Sequence, residues 1–232
     1  MMKKMVIFSG AGMSAESGLK TFRDNGGLWE NHRVEEVATP QAWEENPQLV
    51  LDFYNMRRSQ LLGAEPNDAH KLIASWEDEF EIEIITQNID NLHERAGSKN
   101  VLHLHGELMK VRSDSSPNRI YPWERDLKLG DLCDSGTQLR PHVVWFGEAV
   151  PMMTEAERVV QKANIFITIG TSLNVYPAAN LVHYISEDTD CFLIDPQIPN
   201  LNFPENWTLI QETAYKGLVQ LSKLLKKEKE TN

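Results

Sequence analysis

Polar side chains that can transfer protons or bind hydroxyl groups follow two predicted strands. His105 comes directly after an apolar run at residues 101–104, and Asn88 and Asp90 follow a strand predicted over Glu81–Thr86. An imidazole with a pKa of about 6.5 accepts a proton at neutral pH. Amide and carboxylate groups suit hydroxyl and carboxamide partners. Both features also have a structural interpretation, since a histidine can end a strand and Asn-x-Asp is ordinary turn chemistry.

A glycine-rich loop follows the first apolar run of the chain. Residues 5–9 predict a strand, and Gly10, Gly12 and Ala15 then satisfy the pattern G-x-G-x-x-G/A. Such glycines allow a tight turn and the close approach of a pyrophosphate to the backbone at a helix N-terminus. The same pattern occurs at ordinary strand–turn–helix joints. It is also incomplete here, because no acidic residue ends a second strand about 20 residues further on.

The elements that must position these groups alternate between strands and helices. Strands are predicted at residues 5–9, 81–86, 101–104, 165–169 and 191–194. Helix starts are predicted after caps at Thr39, Asn46 and Asn67, with the second helix at 47–62, and further helices at 177–185 and 214–225. This alternation predicts an α/β fold with a parallel sheet covered on both faces. Polar or small residues follow these strands at Gly10, Gln87, His105, Gly170 and Asp195. Because the carboxyl ends of parallel strands meet at one edge, these groups indicate a nucleotide-sized ligand there.

Residues 107–148 interrupt the alternation. They show little periodicity and contain many Ser, Asp, Pro and Gly residues, so we interpret them as a small inserted module. Residues 1–106 and 149–232 then form the sheet domain. The charged tail at 226–232 is expected to be frayed.

Composition limits the classes of partner and compartment. The only cysteines of the 232 residues are Cys133 and Cys191, which excludes a disulfide framework and fits a reducing compartment. The formal net charge of −11 argues against non-specific nucleic-acid binding, although it is compatible with a basic polypeptide partner. No apolar run is long enough to span a membrane, and the one near the N-terminus is too short for a signal peptide. We therefore expect a cytoplasmic location.

Five motifs together resemble the sirtuin family of NAD-dependent protein deacylases. They are GAGMSAESGLKTFR at 10–23, TQNIDNLH at 86–93, HLHGEL at 103–108, VVWFGE at 143–148 and GTSLNVYPAA at 170–179. The likeness covers nearly the whole chain, and the motifs occur in the family's order. The resemblance implies a Rossmann-like parallel-sheet domain with a small inserted module. It also implies that NAD is consumed as co-substrate and that acylated-lysine proteins or peptides are the partners.

The resemblance implies catalytic roles for His105, Asn88 and Asp90. The acyl-lysine oxygen would attack the nicotinamide ribose and expel nicotinamide, and His105 would deprotonate a ribose hydroxyl on the way to an O-acyl-ADP-ribose. Asn88 and Asp90 would hold the ribose and the nicotinamide amide. His103 matches no catalytic position, so we interpret it as structural. Cofactor contacts are implied for Gly10, Ala11, Gly12, Glu16, Thr21, Phe22, Arg23, Trp29, Gln87, Ile89, Gly170, Thr171, Ser172, Asp195, Pro196, Gln197 and Ala214.

Tyr54 and Arg57 bear on the acyl group. They are three residues apart on a predicted helix and share a face. The pair resembles the Tyr-x-x-Arg of the sirtuin subclass that accepts succinyl and malonyl groups. Arg57 would bind the acyl carboxylate bidentately and Tyr54 would donate a hydrogen bond, while Ala38 would leave room for the group. The alternative is a surface arginine beside a half-buried tyrosine. A shorter acetyl group would also fit.

The substrate peptide is expected to add as a β-strand between two stretches of the chain. The residues that the resemblance implies for these stretches are Val144, Phe146, Gly147, Glu148, Leu173, Asn174 and Val175. Backbone pairing gives affinity without demanding one sequence, so a broad range of protein targets is expected.

The inserted module departs from the family at its zinc site. The positions that hold two Cys-x-x-Cys pairs in the family carry Arg112, Ser113, Asp114, Ser115, Asp131, Cys133, Asp134 and Ser135. A structural zinc site needs four ligands, usually thiolates or imidazoles. We therefore expect no bound metal. The module must then be held by packing, with Tyr121, Trp123, Leu127 and Leu132 as candidate core residues.

Two other functions stay open from the sequence. An ADP-ribosyltransferase or NAD hydrolase would use the same ribose-activating residues, but its nicotinamide release would not depend on acyl-lysine. A non-catalytic NAD-binding sensor would not need His105, Asn88 and Asp90 together. The sequence does not determine the oligomeric state, and we expect a monomer.

Overall fold

The computed structural model describes residues 2–20 and 32–231. Its strands are β1 (Lys4–Ser9), β2 (Glu81–Thr86), β3 (Val101–His103), β4 (Gly106–Ser113), β5 (Ile120–Pro122), β6 (Leu139–Val143), β7 (Ile165–Ile169), β8 (Asp190–Ile194) and β9 (Trp207–Ile210). Its α-helices are α1 (Val34–Val37), α2 (Pro40–Glu45), α3 (Pro47–Gly63), α4 (Asp68–Ser75), α5 (Leu92–Arg95), α6 (Met153–Val160) and α7 (Ala214–Thr231).

Six strands form a parallel sheet in the order β3-β2-β1-β7-β8-β9. This is the doubly wound order of a Rossmann-like sheet, and it confirms the predicted fold class. The direction of winding reverses between β1 and β7, where Ser9 is paired with Ile169. In such sheets a ligand binds in the crevice beyond the carboxyl ends of the two strands that flank the reversal. The fold therefore places the ligand crevice beside the loops that begin at Gly10 and Gly170.

The sheet is buried on both faces because its central strands are almost entirely apolar. Ile7 and Ile84 face a core layer that includes residues of α4 and α7. Phe8 and Phe166 face the opposite layer, which includes residues of α6. Fully burying one such side chain contributes about 1.5–3 kcal/mol. The two layers fix the strand register, and with it the positions of the loops at the carboxyl edge.

A second, antiparallel sheet of order β5-β4-β6 lies in the segment that showed little periodicity. Gly106 begins β4 and pairs with Val143 at the end of β6. Its φ is +79°, and a Cβ there would lie 2.2 Å from the His142 carbonyl oxygen, so only glycine fits. Tyr121, Trp123 and Leu127 pack against one apolar cluster together with α3. The division of the chain at 107 and 148 stays a prediction.

The prediction of Leu132 as a core residue of this module is wrong. Its side chain is 54% exposed. Leu132 forms an isolated antiparallel bridge with Gln138, and the next residue, Cys133, is buried. Because neighbouring side chains in extended backbone point to opposite faces, burial of Cys133 turns Leu132 outward.

The helix starts follow the predicted caps. The side chains of Thr39, Asn46 and Asn67 accept hydrogen bonds from backbone amides of α2, α3 and α4. Residues 177–185 differ from the prediction, because Ala178–Tyr184 forms a 3-10 helix. The tail also differs, since α7 continues to Thr231. Its last residues are mainly Lys and Glu, which favour helix, and include no Gly or Pro.

No helix within residues 2–20 and 32–231 has the length and apolar character needed to cross a membrane. The cytoplasmic location stays a prediction.

Candidate active site

The loops after β1 and β7 are in direct backbone contact. The Gly10 amide donates to the Ile169 carbonyl at 3.0 Å, and the Gly12 amide donates to the Gly170 carbonyl at 2.9 Å. A Cβ on Gly12 would lie 2.7 Å from the Gly170 Cα atom. Gly170 itself has a φ of +62°, which favours glycine. The glycines of the first motif therefore serve the close approach of one loop to the other.

The expected helix N-terminus at this loop is wrong for residues 10–20. Two short 3-10 turns, Ala11–Met13 and Ala15–Ser17, follow β1. Glu16 lies in the second turn, where its carboxylate accepts from the Thr213 hydroxyl at 3.3 Å and the Tyr215 amide at 3.2 Å. The loop is thus tied to the start of α7 instead of continuing into a helix of its own.

Ser14 connects the two polar side chains that follow β2. Its hydroxyl donates to Asp90 at 2.9 Å and accepts from the Asn88 amide group at 3.1 Å. The Asn88 amide group also lies 3.1 Å from the Gly10 carbonyl oxygen. Asp90 further accepts from the Leu92 backbone amide at 3.1 Å. The two side chains are therefore oriented by the glycine loop of β1.

Asp90 lies in an environment that disfavours its charge. Burial raises the pKa of the Asp90 carboxyl, although the hydrogen bonds from the Leu92 amide and the Ser14 hydroxyl stabilise the ionised form. A carboxyl with these partners has both an accepting oxygen and a raised proton affinity. It is suited to hydrogen bonding with a ligand amide or hydroxyl group.

His105 lines the cleft, and one of its ring nitrogens is held by the protein backbone. Its Nδ1 atom lies 3.0 Å from the Gln87 carbonyl oxygen. A carbonyl oxygen only accepts, so Nδ1 carries the hydrogen and Nε2 keeps its lone pair. Burial lowers the pKa of His105, and the hydrogen bond to Gln87 offsets this only in part. The neutral imidazole at neutral pH is the form that a general base needs.

His103 is held by protein groups at both nitrogens, as expected of a structural residue. Nδ1 lies 2.9 Å from the Asn88 carbonyl oxygen, and Nε2 lies 2.7 Å from a Glu94 carboxylate oxygen. Burial alone would lower the pKa of His103, but the hydrogen bond and charge of Glu94 raise it. His103 and Glu94 thus support the backbone that carries Asn88.

The junction between the two sheets explains where His105 lies. His105 follows β3 and precedes β4, and its carbonyl oxygen accepts from the Val144 amide at 2.9 Å. Val144 in turn follows β6. The ends of the small sheet therefore place His105 beside the edge where β1 and β7 end.

These groups line one cleft with a volume of about 600 Å³. It is lined by every predicted cofactor or catalytic residue that the structure describes, namely Gly10, Ala11, Gly12, Glu16, Gln87, Asn88, Ile89, Asp90, His105, Gly170, Thr171, Ser172, Asp195, Pro196, Gln197 and Ala214. The predicted substrate residues Ala38, Tyr54, Arg57, Val144, Phe146, Gly147, Glu148, Asn174 and Val175 line it as well. Thr21, Phe22, Arg23 and Trp29 lie outside the described residues.

The prediction of Leu173 as a substrate-binding residue concerns backbone pairing and stays a prediction, whereas its side chain is turned away from the cleft. The side chain is 4% exposed and belongs to the apolar layer beside α6. Its φ is +55°, and its amide donates to the Thr171 hydroxyl at 3.3 Å. This turn directs the side chain into the core, while Ser172 and Asn174 on either side line the cleft.

Tyr54 and Arg57, the residues predicted to bind the acyl group, both line the cleft. Tyr54 is fully buried, and Arg57 is 8% exposed, so the alternative of a surface arginine is wrong. The Tyr54 oxygen accepts from the Trp145 indole nitrogen at 3.1 Å, and burial raises the pKa of Tyr54. Arg58 faces elsewhere, because its guanidinium donates to the Leu108 carbonyl at 3.1 Å.

Several backbone amides of residues 144–148 already donate hydrogen bonds to other groups of the protein. The Phe146 amide donates to the Ala38 carbonyl at 3.0 Å, and the Glu148 amide donates to the Trp145 carbonyl at 3.0 Å. Because the Val144 amide is also bonded to His105, a peptide strand added along this stretch must donate its own amide groups, mainly to carbonyl oxygens of the stretch. The Glu148 carboxylate accepts from Arg112, Arg140 and the Trp145 amide.

The Sir2 family matches residues 10–177. The NAD-dependent protein deacylase of Helicobacter pylori is 55% identical over 220 residues, which cover 95% of this chain and 96% of that protein. The NAD-dependent protein deacylase of Bacteroides thetaiotaomicron is 50% identical over 230 residues, which cover 97% of this chain and 98% of that protein. The chain belongs to the Sir2, or sirtuin, family. The resemblance to the sirtuin family that the five motifs indicated is thus confirmed.

Solved sirtuin structures share the whole fold. A mutant Sir2 homologue in complex with ADP-ribose superimposes with a TM-score of 0.88 at 38% identity, and the match covers 100% of this chain and 95% of that chain. A Sir2 homologue in complex with NAD gives a TM-score of 0.86 at 40% identity over 98% of this chain and 91% of that chain. The sirtuin's cleft thus belongs to a fold that binds NAD in relatives.

The region of the family's zinc site holds one thiol, three serine hydroxyls and one threonine hydroxyl in this sirtuin. Cys133 Sγ lies 3.5 Å from the Ser113 hydroxyl and 3.1 Å from the Ser135 hydroxyl. The Ser115 hydroxyl donates to Thr137 at 3.1 Å. These groups bond to one another, and neutral serine hydroxyls are not the thiolate or imidazole ligands of structural zinc. The donor set does not fit zinc, and the absence of the metal stays a prediction.

Sequence reasoning missed several cleft residues of this sirtuin. Those that line the cleft beyond the predicted set are Ser14, Ala15, Leu19, Lys20, Val143, Trp145, Val150, Tyr176, Pro177, Ile194 and Thr213. Ser14 and Trp145 lie inside the motifs GAGMS and VVWFGE, so their neighbours gave a signal. Their partners, Asp90 and Tyr54, are distant in sequence, and no local pattern indicates such a pairing.

Proposed function

We propose that this sirtuin is an NAD-dependent protein-lysine deacylase that removes succinyl and malonyl groups and also acetyl groups. The observation that carries the proposal is that His105, the Asn88–Asp90 pair and the Tyr54–Arg57 pair line the same cleft. The first two sets suit ribose chemistry, and the third suits an acidic acyl chain. Relatives named NAD-dependent protein deacylase at 50–55% identity support the reaction class.

His105 supplies the general base of the proposed reaction. NAD is a substrate here, since its bond to nicotinamide breaks when the acyl-lysine oxygen attacks the ribose. The Nε2 lone pair of His105 then accepts a proton from a ribose hydroxyl, and that oxygen attacks the acyl carbon. The lysine nitrogen leaves that carbon as the free amine, a water molecule takes its place, and the acyl group remains on the ribose. His105 Nδ1 donates to the Gln87 carbonyl oxygen with 3.0 Å between the two atoms, and this bond orients the ring and stabilises its charged form. General-base catalysis of this kind contributes about 10²- to 10⁴-fold.

Asn88 and Asp90 bind the reacting end of NAD in the proposed complex. Asn88 offers both a carbonyl acceptor and amide donors, and Asp90 offers acceptor oxygens to a carboxamide. The Ser14 hydroxyl oxygen lies 2.9 Å from an Asp90 carboxylate oxygen and 3.1 Å from the Asn88 amide nitrogen. These hydrogen bonds orient both side chains before the substrate binds. Orientation in advance lowers the entropy that the substrate must lose on binding.

Tyr54 and Arg57 favour an acyl group that ends in a carboxylate. Arg57 is nearly buried, and a buried cation is stabilised by a hydrogen-bonded anion in the same site. Tyr54 adds a neutral donor one helical turn away on α3. A succinyl or malonyl carboxylate satisfies both groups. An acetyl group fits the space but offers Arg57 no carboxylate.

The acyl preference is tested by comparing succinyl-, malonyl- and acetyl-lysine peptides in wild type and Arg57→Met. A hydrogen bond to a charged group contributes about 1.5–3 kcal/mol, so the succinyl-to-acetyl ratio of kcat/KM should fall about 10- to 150-fold. Arg158→Met removes an exposed arginine of α6 and serves as the matched control with an unchanged ratio. An Arg57→Met ratio equal to that of wild type would contradict the acidic pocket.

Nicotinamide release separates the deacylase from the two alternatives. A deacylase releases nicotinamide in step with deacylation and only in the presence of an acyl-lysine peptide. Equal release without the peptide would indicate an NAD hydrolase. Transfer of ADP-ribose to the peptide would indicate a transferase, and NAD binding without turnover would indicate a sensor. His105→Ala should slow the steady-state peptide-dependent release by about 10²- to 10⁴-fold, because His105 acts after nicotinamide has left and its loss blocks further turnover.

A further inference from the structure

The Trp145 indole nitrogen lies 3.1 Å from the Tyr54 hydroxyl oxygen, and both side chains line the cleft. We propose that Trp145 is a positioning residue that sets the preference for acidic acyl groups by orienting the Tyr54 hydroxyl. This inference rests on the proposed function, because it concerns the same pocket. Trp145 itself needs no contact with the acyl group.

The direction of the hydrogen bond carries the argument. An indole N–H can only donate, so Tyr54 accepts this bond with an oxygen lone pair. The single hydroxyl hydrogen of Tyr54 is consequently directed away from Trp145. A ligand carboxylate can only accept hydrogen bonds, so it needs that hydrogen and not a lone pair. Trp145 thereby presets Tyr54 as a donor.

Trp145 is held on several sides. It is 2% exposed, and the Arg140 guanidinium carbon lies 3.2 Å from the centre of its ring. The ring of Trp43 approaches with centroids 5.8 Å apart. The Trp145 backbone amide donates to Glu148 at 2.8 Å. With backbone, ring face and ring edge all in contact, the indole has little freedom to release Tyr54.

Arg140 is itself fixed by Glu148. Its guanidinium donates to both carboxylate oxygens of Glu148, at 2.8 and 3.1 Å. Arg112 donates to the same carboxylate at 2.9 Å. Burial alone would raise the pKa of Glu148, but the bonds and charges of the two arginines lower it. The ionised Glu148 therefore connects β4 and β6 of the small sheet to Trp145 and, through it, to the acyl pocket.

Loss of the Trp145 N–H should affect acyl groups that end in a carboxylate and not the acetyl group. Without the indole donor, the Tyr54 hydroxyl can rotate and present a lone pair to the ligand. That orientation repels a carboxylate and is indifferent to the methyl end of an acetyl group. Loss of the Trp145 N–H should therefore change the ratio of the two activities and the KM for the acidic substrate.

Trp145→Phe tests the inference, because it removes the N–H group and keeps a ring beside Arg140. The succinyl-to-acetyl ratio of kcat/KM should fall about 5-fold or more, through a higher KM for the succinyl peptide. In a Tyr54→Phe background the same substitution should leave the ratio unchanged, since the oriented hydroxyl is already absent. Trp207→Phe, at a tryptophan packed on Phe166 and Phe203 of another layer, is the control with a wild-type ratio.

The outcomes distinguish this inference from the proposed function. A wild-type ratio in Tyr54→Phe overturns the acidic pocket. A lowered ratio in Tyr54→Phe with no change in Trp145→Phe, or an equal drop in both backgrounds, overturns the role of Trp145 alone. If Trp145→Phe does not fold, benzothienylalanine at position 145 keeps the shape of the indole and lacks its N–H, and the same comparison applies.

Discussion

The rings of His70 and His93 meet edge to face in the core, with centroids 4.8 Å apart. His93 Nε2 also lies 3.1 Å from the Ser9 hydroxyl, at the end of β1 that carries the site loops. Among the residues that the structure describes, neither ring nitrogen of His70 has a hydrogen-bond partner. Burial lowers the pKa of His70 to about 4 and that of His93 well below its usual value. Both rings are therefore neutral in the folded protein at neutral pH.

This histidine pair should make the protein less stable in mild acid. A histidine in the unfolded chain has a pKa of about 6.5. As the pH falls from that value towards the lower pKa values of the folded state, the unfolded chain binds more protons than the folded protein and is favoured. His70 contributes a loss of up to about 3 kcal/mol across that window, at about 1.36 kcal/mol per pKa unit. Urea unfolding at pH 7 and pH 5 measures it. His70→Leu should flatten the pH dependence, whereas the exposed His183→Leu should leave it as in wild type.

The deacylation rate should decrease in acid because His105 must be neutral to accept a proton. Burial places the folded pKa of His105 below the usual value, so the acidic limb of the kcat/KM profile should have its midpoint below about 6.5. His105→Ala should lower kcat by about 10²- to 10⁴-fold. Full activity in His105→Ala, or an acidic midpoint above that of free histidine, would contradict the role of general base.

Gly12→Ala should damage the contact between the loops of β1 and β7. The added Cβ would lie 2.7 Å from the Gly170 Cα atom, which is backbone and cannot move aside cheaply. Such overpacking typically costs about 1–3 kcal/mol. Urea unfolding and calorimetric NAD titration should both show a loss. Gly63→Ala is the matched control, because a Cβ there meets no atom within 4 Å.

The protein should contain well below one zinc per chain. A hydroxyl and thiol cluster around Cys133 occupies the region of the family's metal site. Elemental analysis of the purified protein measures the metal content. Thermal melting with and without a chelator should give the same Tm. A stoichiometric metal, or a chelator-dependent drop in Tm, would show that other groups ligate zinc.

Glu148→Gln should destabilise the small sheet strongly. It removes the charge that Arg112 and Arg140 share, and their side chains are only 11% and 6% exposed. Removing one partner of a buried ion pair costs about 3–5 kcal/mol. Glu155→Gln breaks the exposed i,i+3 pair with Arg158 and should cost less than about 1 kcal/mol. Similar urea midpoints for the two variants would show that the network contributes little.

The sequence predicted those parts of the fold that depend on neighbours along the chain. The caps at Asn46 and Asn67 and the apolar runs of β2 and β7 are local, and each element formed close to its predicted bounds. By contrast, β9 was not predicted, because two of its four residues are exposed at the edge of the sheet. An edge strand is stabilised by its pairing with β8, which no local pattern records.

The motifs also indicated which residues could carry the chemistry, because residue type alone decides what can accept a proton, bind a carboxylate or hold a hydroxyl. Tertiary structure decided which of these groups act together. Ser14 and Asp90 are 76 residues apart, and Trp145 and Tyr54 are 91 apart. Their hydrogen bonds exist only because the two sheets bring distant loops to one edge. The same packing turned Leu132 outward and Leu173 inward, since the burial of a side chain depends on what lies across from it and not on its neighbours in sequence.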